Sequence, residues 1–109
     1  MADHTLDKLA AIIKSRRAET GSTSYTRQLL DAGTGKCAKK FGEEAAEAII
    51  AAVSQDEKAL KAEAADVLYH LLVMLESRGV AFADVLAELE ARTRQSGLAE
   101  KASRSGGGS

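Results

Sequence analysis

The sequence predicts an all-α domain, and three observations carry that prediction. Proline is absent from all 109 residues, Ala, Leu, Glu and Lys recur throughout, and apolar residues return at helical spacing. A 45% apolar content with 28% charged residues is ordinary for a soluble globular chain, and the length suits a single domain. Residues 1–96 are expected to form that domain, with 97–109 as a flexible Gly- and Ser-rich tail.

Four main helices and a short one can be read in order. Residues 5–17 carry Leu6, Leu9, Ala10, Ile12 and Ile13 as an apolar stripe, which predicts the first helix. Thr20-Gly-Ser-Thr-Ser24 reads as a loop, with Ser24 or Thr23 as cap for a short helix over 25–31. Gly33-Thr-Gly35 breaks the chain again. A long helix over 36–53 then presents Phe41, Ala45, Ala48, Ile49 and Ala52 on one side. Ser54, with Glu57 three residues on, matches a capping box opening the next helix over 56–77. Its apolar positions are Leu60, Ala64, Val67, Leu68, Leu71 and Leu75. Gly79 is suited to ending it, and 82–94 forms the last helix, with Phe82, Val85, Leu86 and Leu89 inward.

Composition also removes several classes of function. A net charge of −1 offers no electrostatic reason to expect nucleic acid or an anionic membrane as partner. No apolar run reaches the roughly 20 residues of a membrane span, and the polar N-terminus is no signal peptide. Met1 stands a few residues before the first helix, so no upstream domain is expected. The single Cys37 precludes an internal disulfide and fits a cytoplasmic setting; a packed thiol is its expected role.

The chemistry is concentrated in two acidic pairs. Glu44 and Glu47 lie eleven and eight residues before Gln55, and Glu63 and Asp66 lie eight and eleven residues after it. If both flanks are helices folded back on each other, all four carboxylates share a layer roughly 12–16 Å from the turn. Each i, i+3 spacing puts both members of a pair on one helix face. Acidic residues at helical spacing usually form a solvated surface, and this chain has sixteen. Two matched pairs beside apolar stripes point instead to a site for a hard divalent cation such as Mg²⁺, with Mn²⁺ as a substitute. Ala48 and Ala51 continue that face and leave room. His70, four residues after Asp66, could hold a ligand carboxylate from behind or be a partly buried edge residue.

A basic cluster precedes the acids. Lys36, Lys39 and Lys40 fall in the first turns of the long helix, against the preference of the helix dipole, where free N–H groups and extra cations suit a phosphate. A solubilising patch, with Lys40–Glu44 as an i, i+4 pair, is the plainer reading. Gly42 inside this helix costs about 1 kcal/mol relative to Ala, which close packing or ligand approach would explain. The GxxxxGK[ST] phosphate loop is missing.

Ser24-Tyr-Thr26, Lys36-Cys-Ala-Lys-Lys-Phe-Gly-Glu-Glu-Ala-Ala-Glu47 and Glu63-Ala-Ala-Asp-Val-Leu-Tyr-His70 together resemble the phosphoribosyl-ATP pyrophosphatase family. That family lies among the all-helical MazG-type nucleotide pyrophosphohydrolases, and the likeness covers residues 5–95. It implies a helical bundle completed by homodimerisation. It also implies hydrolysis of 1-(5-phosphoribosyl)-ATP to 1-(5-phosphoribosyl)-AMP and pyrophosphate in histidine biosynthesis. Glu44, Glu47, Glu63 and Asp66 match its Mg²⁺ ligands, and Lys36, Lys39 and Lys40 would face phosphates. Glu43 would support a ligand or be a surface acid. Two other readings share these features. A house-cleaning pyrophosphatase would turn over plain dNTPs, and a non-enzymatic helical interaction protein would bind neither Mg²⁺ nor Mn²⁺.

Overall fold

A computed structural model describes residues 4–18 and 24–105. Five helices follow one another: α1 (Thr5–Ala18), α2 (Tyr25–Ala32), α3 (Thr34–Ser54), α4 (Glu57–Ser77) and α5 (Phe82–Ser105). The all-α prediction therefore holds, with α3 and α4 folded into an antiparallel hairpin that packs along its length. Thr23, one of the two candidate caps, and residues 106–109 of the expected tail lie outside the described residues.

Short-range chemistry explains most helix ends. Ser24 caps α2, its side chain accepting the Arg27 N–H at 3.1 Å. Gly33 then adopts φ 98°, a conformation that L side chains rarely take, and so separates α2 from α3. At the far end of α4, Gly79 has φ 71° and its N–H reaches the Glu76 carbonyl at 2.9 Å. The Val80 N–H bonds the Leu75 carbonyl at 3.0 Å, completing a Schellman closure.

Three boundaries differ from expectation. α3 begins at Thr34, so Gly35 lies inside the helix and only Gly33 breaks the chain. Ser54 stays in α3, its hydroxyl donating to the Ile50 carbonyl at 2.7 Å, while Asp56 caps α4 through the Ala59 N–H at 2.9 Å. Both residues can cap, but Glu57 pairs with Lys61 at 3.0 Å instead of folding back to complete a box. α5 continues to Ser105, past the expected end at Arg94 and through the start of the predicted tail. A lone Gly97 among Leu98, Ala99, Glu100, Lys101 and Ala102 costs less than those helix formers sustain.

The core sits at one end of the hairpin. Ile13, Leu29, Cys37, Leu72 and Val73 are buried together, with Leu6, Leu9, Tyr69, Met74 and Phe82 packed around them. α1 and α2 thus close over the open end of the α3–α4 hairpin. Its turn end is bare: Ile49 is 64% exposed and Val53 79%, and Ile50 and Leu60 are also exposed. Leu86 and Leu89, expected to face inward, are exposed, as are Ile12, Ile49, Leu60 and Leu68 of the other apolar stripes. The chain is elongated, 61 × 34 × 31 Å, with a radius of gyration of 17.6 Å against the roughly 13 Å of a compact domain this size.

Candidate functional site

The acids lie midway along the hairpin, between the closed core and the bare turn. Ala51 is fully buried where α3 meets α4, and Glu44, Glu47 and Ala48 precede it on the same helix face. α4 opposes this face with Glu63 and Asp66. Glu44, Glu63 and Asp66 each offer a carboxylate oxygen, and the three oxygens lie within 4.8 Å of one another. Glu47 falls outside that group but remains close. Partial burial of Glu63, and then the charges of Asp66, Glu44 and Glu47 in that order, raise its carboxyl above the ordinary carboxylate range. Like charges gathered this way await a counter-charge.

The donor set fits a hard cation. Octahedral Mg²⁺ at about 2.1 Å from its ligands needs oxygens about 3 Å apart at adjacent positions and about 4.2 Å apart across the ion. All three candidate donors are oxygens, and none lies more than 4.8 Å from another.

One helical turn nearer the core than the acids stand Lys40 on α3 and His70 on α4. Lys40 pairs with Glu43 at 3.0 Å, one residue short of the i, i+4 partner expected in Glu44. That hydrogen bond, followed by the Tyr25 phenol and further acidic charge, holds the Lys40 ammonium above its ordinary range. Glu43 is held below its own, first by Lys40 and more weakly by Lys39 and Lys36. The three lysines therefore share one region of field around Glu43, with Lys36 and Lys39 exposed on the first turns of α3.

His70 is buried and bonds the backbone of Asp66 rather than its carboxylate: Nδ1 lies 2.8 Å from the Asp66 carbonyl oxygen. Its Nε2 lies 3.3 Å from the Tyr25 hydroxyl. Thr26, also buried, makes a short hydrogen bond to the Tyr69 hydroxyl, and the Tyr25 and Tyr69 rings stack with centroids 6.4 Å apart. The Ser24-Tyr-Thr26 segment, recognisable in the sequence only as a family signature, thus ties α2 to α4 beside the acids. Pattern alone could not reveal this, because the tie joins residues more than forty positions apart.

Cys37 is a packed thiol, as expected. Its Sγ donates to the Leu29 carbonyl at 3.2 Å, and burial raises its pKa. A groove of about 870 Å³ runs between α1, the end of α4 and the start of α5, and none of the clustered acids lines it. No described helix is long and apolar enough to cross a membrane.

Fold and site together define an all-helical protein built around an acid-bearing hairpin, with lysines on the first turns of α3. That geometry suits a polyphosphate chelated to a metal ion. The family model for phosphoribosyl-ATP pyrophosphohydrolase matches residues 6–93, and the chain belongs to that family. It is 54% identical to the phosphoribosyl-ATP pyrophosphatase of Nitrobacter hamburgensis over 104 residues, covering 95% of this chain and 97% of the relative. Identity is 58% with the enzyme of the same name from Methylobacterium nodulans, over 95% of this chain and 97% of the relative. With the one from Roseobacter denitrificans it is 59%, over 92% and 95% respectively.

Proposed function

We propose that this protein hydrolyses 1-(5-phosphoribosyl)-ATP, with water, between the α- and β-phosphates. The products are 1-(5-phosphoribosyl)-AMP and pyrophosphate, and the reaction is the second step of histidine biosynthesis in the cytoplasm. The observation that carries this reading is the meeting of Glu44, Glu63 and Asp66 across the hairpin, in a chain of this family. The relatives' names support the choice of substrate.

Glu44, Glu63 and Asp66 would hold Mg²⁺, with Glu47 joining them through a small side-chain movement; Mn²⁺ would serve in its place. When bound, such an ion neutralises phosphate charge and lowers the pKa of a coordinated water. The chain's own groups do the rest by positioning. Lys36, Lys39 and Lys40 take phosphate oxygens along the N-terminal turns of α3. Glu43 keeps the Lys40 ammonium charged and oriented. Ala48 leaves space for the anhydride between the helices. Phosphoryl transfer depends chiefly on such alignment and charge stabilisation.

The working unit is a homodimer in this reading. Ile49, Ile50 and Val53 on α3, Leu60 and Leu68 on α4, and Leu86 and Leu89 on α5 are exposed apolar side chains of a kind that partner helices cover. The elongated shape agrees.

The decisive experiment measures pyrophosphate release from phosphoribosyl-ATP beside an equal concentration of ATP, with Mg²⁺ present. Strong preference for phosphoribosyl-ATP is expected. Equal or greater turnover of ATP or dNTPs would defeat the substrate assignment.

A further inference from the structure

The Tyr25 hydroxyl has one hydrogen-bond partner among the described contacts, and the direction of that bond is set from α4. The Asp66 carbonyl can only accept, so the proton on His70 sits on Nδ1, 2.8 Å away. In neutral His70 the other nitrogen, Nε2, is then an acceptor, and the Tyr25 O–H donates to it at 3.3 Å. The phenol is therefore tethered, through one buried imidazole, to the backbone of an acid in the cluster.

The ring is fixed as well. Tyr25 stacks on Tyr69 at an interplanar angle of 20°, and His70 meets both rings edge-on, at 75° and 90°. Thr26, the next residue, locks the Tyr69 hydroxyl. This is an elaborate anchorage for a side chain at the start of an eight-residue helix, yet Tyr25 remains 48% exposed. A side chain held this way is nonetheless open to solvent over about half its surface. It also stands near enough to Lys40 to affect the lysine's charge. The exposed ring thus borders the lysine side of the acid layer, one helical turn from it.

We propose that Tyr25 is a substrate-contacting residue whose held ring stacks on the purine of the nucleotide, and that His70 is its positioning residue. A rigid aromatic face already oriented before binding loses little entropy on stacking. This rests on the functional reading above and adds to it the group that binds the base.

The test uses the full chain with Mg²⁺. Tyr25→Leu is expected to raise KM for phosphoribosyl-ATP about tenfold or more, the scale of a lost base stack, with kcat within about threefold, because the contact is equal in ground and transition states. Tyr25→Phe keeps the ring but loses the tether, so a rise of about threefold is expected. His70→Asn keeps a donor for the Asp66 carbonyl but cannot reach Tyr25, and should match Tyr25→Phe. Sedimentation should show an unchanged oligomeric state in all three variants.

The chain has two tyrosines, so 3-fluorotyrosine labelling yields two signals, assigned with Tyr69→Phe. The product phosphoribosyl-AMP should shift the Tyr25 signal, and pyrophosphate alone should not. An unchanged KM in Tyr25→Leu, equal shifts from both ligands, or loss of the oligomer in step with activity would overturn the proposal. A wild-type chain that binds phosphoribosyl-AMP at Tyr25 yet does not hydrolyse phosphoribosyl-ATP would overturn the functional reading instead.

Discussion

Thr34 Oγ1 lies 3.0 Å from Ser77 Oγ at the end of the α3–α4 hairpin farthest from its turn. The bond is made in the same register that brings Glu44 to Asp66 across the hairpin. Ser77 also donates to the Met74 carbonyl at 2.7 Å, so its hydroxyl is held from both sides. The acid layer is thus set between two fixed points, the Asp56-capped turn and the Thr34–Ser77 contact.

Mg²⁺ is expected to raise the melting temperature of the wild-type protein, because only the folded hairpin gathers the acids. The Glu44→Gln, Glu63→Gln double variant should lose most of that rise and all turnover. Its metal-free form should melt no lower than the metal-free wild type, since Glu63 carries the repulsion of three neighbours. Calorimetry with and without Mg²⁺ checks this, and equal shifts in the two proteins would point to nonspecific ion effects.

Replacing Lys36 and Lys40 together by Gln should cut kcat/KM for phosphoribosyl-ATP by about a hundredfold, as each charge-assisted phosphate contact contributes on the order of 1.5–3 kcal/mol. The Mg²⁺-dependent melting shift should survive, because neither lysine belongs to the acid cluster. A fall of less than about threefold would leave the lysines as a solvated patch.

Ala51→Leu should be the most damaging single change on the hairpin. Ala51 has no exposed surface, and three added carbons must push α3 away from α4. Overpacking of this kind costs about 1–3 kcal/mol, and the separation should weaken Mg²⁺ binding two turns away. Denaturant unfolding together with Mg²⁺ titration tests both effects; normal metal affinity in a destabilised variant would show that the layers are uncoupled.

Glu43 offers a pH readout. Its carboxyl is depressed in the folded state, chiefly by the hydrogen bond from Lys40. A depressed acid adds stability above its unfolded pKa and loses it as pH falls through the folded value. Glu43→Gln should therefore lower the melting temperature slightly at pH 7, and by less as pH falls through the folded value. Melting curves across acid pH decide, and a deficit that does not shrink would place the role of Glu43 in packing.

Much of this was legible in the chain. Helix content followed from the missing proline and the apolar spacing. Placing Gln55 at the centre of the two acidic pairs located the layer in which Glu44, Glu63 and Asp66 meet. Local chemistry carries such information because caps, glycines and i, i+3 spacing act over a few residues. The capping box read at Ser54 was wrong because Asp56, two residues on, accepts the same kind of N–H and caps α4 instead.

Tertiary structure alone decided the rest. Periodicity shows which helix face is apolar but not which part of that face another helix covers, so Ile49 and Leu68 belong to apolar stripes yet lie exposed. Lys40 can reach either Glu43 or Glu44 along its own helix, and only the folded structure shows that it pairs with Glu43. The bond from Tyr25 to His70 joins residues 45 positions apart. No local rule links them, and only the packing of α2 against the hairpin brings that hydroxyl to that nitrogen.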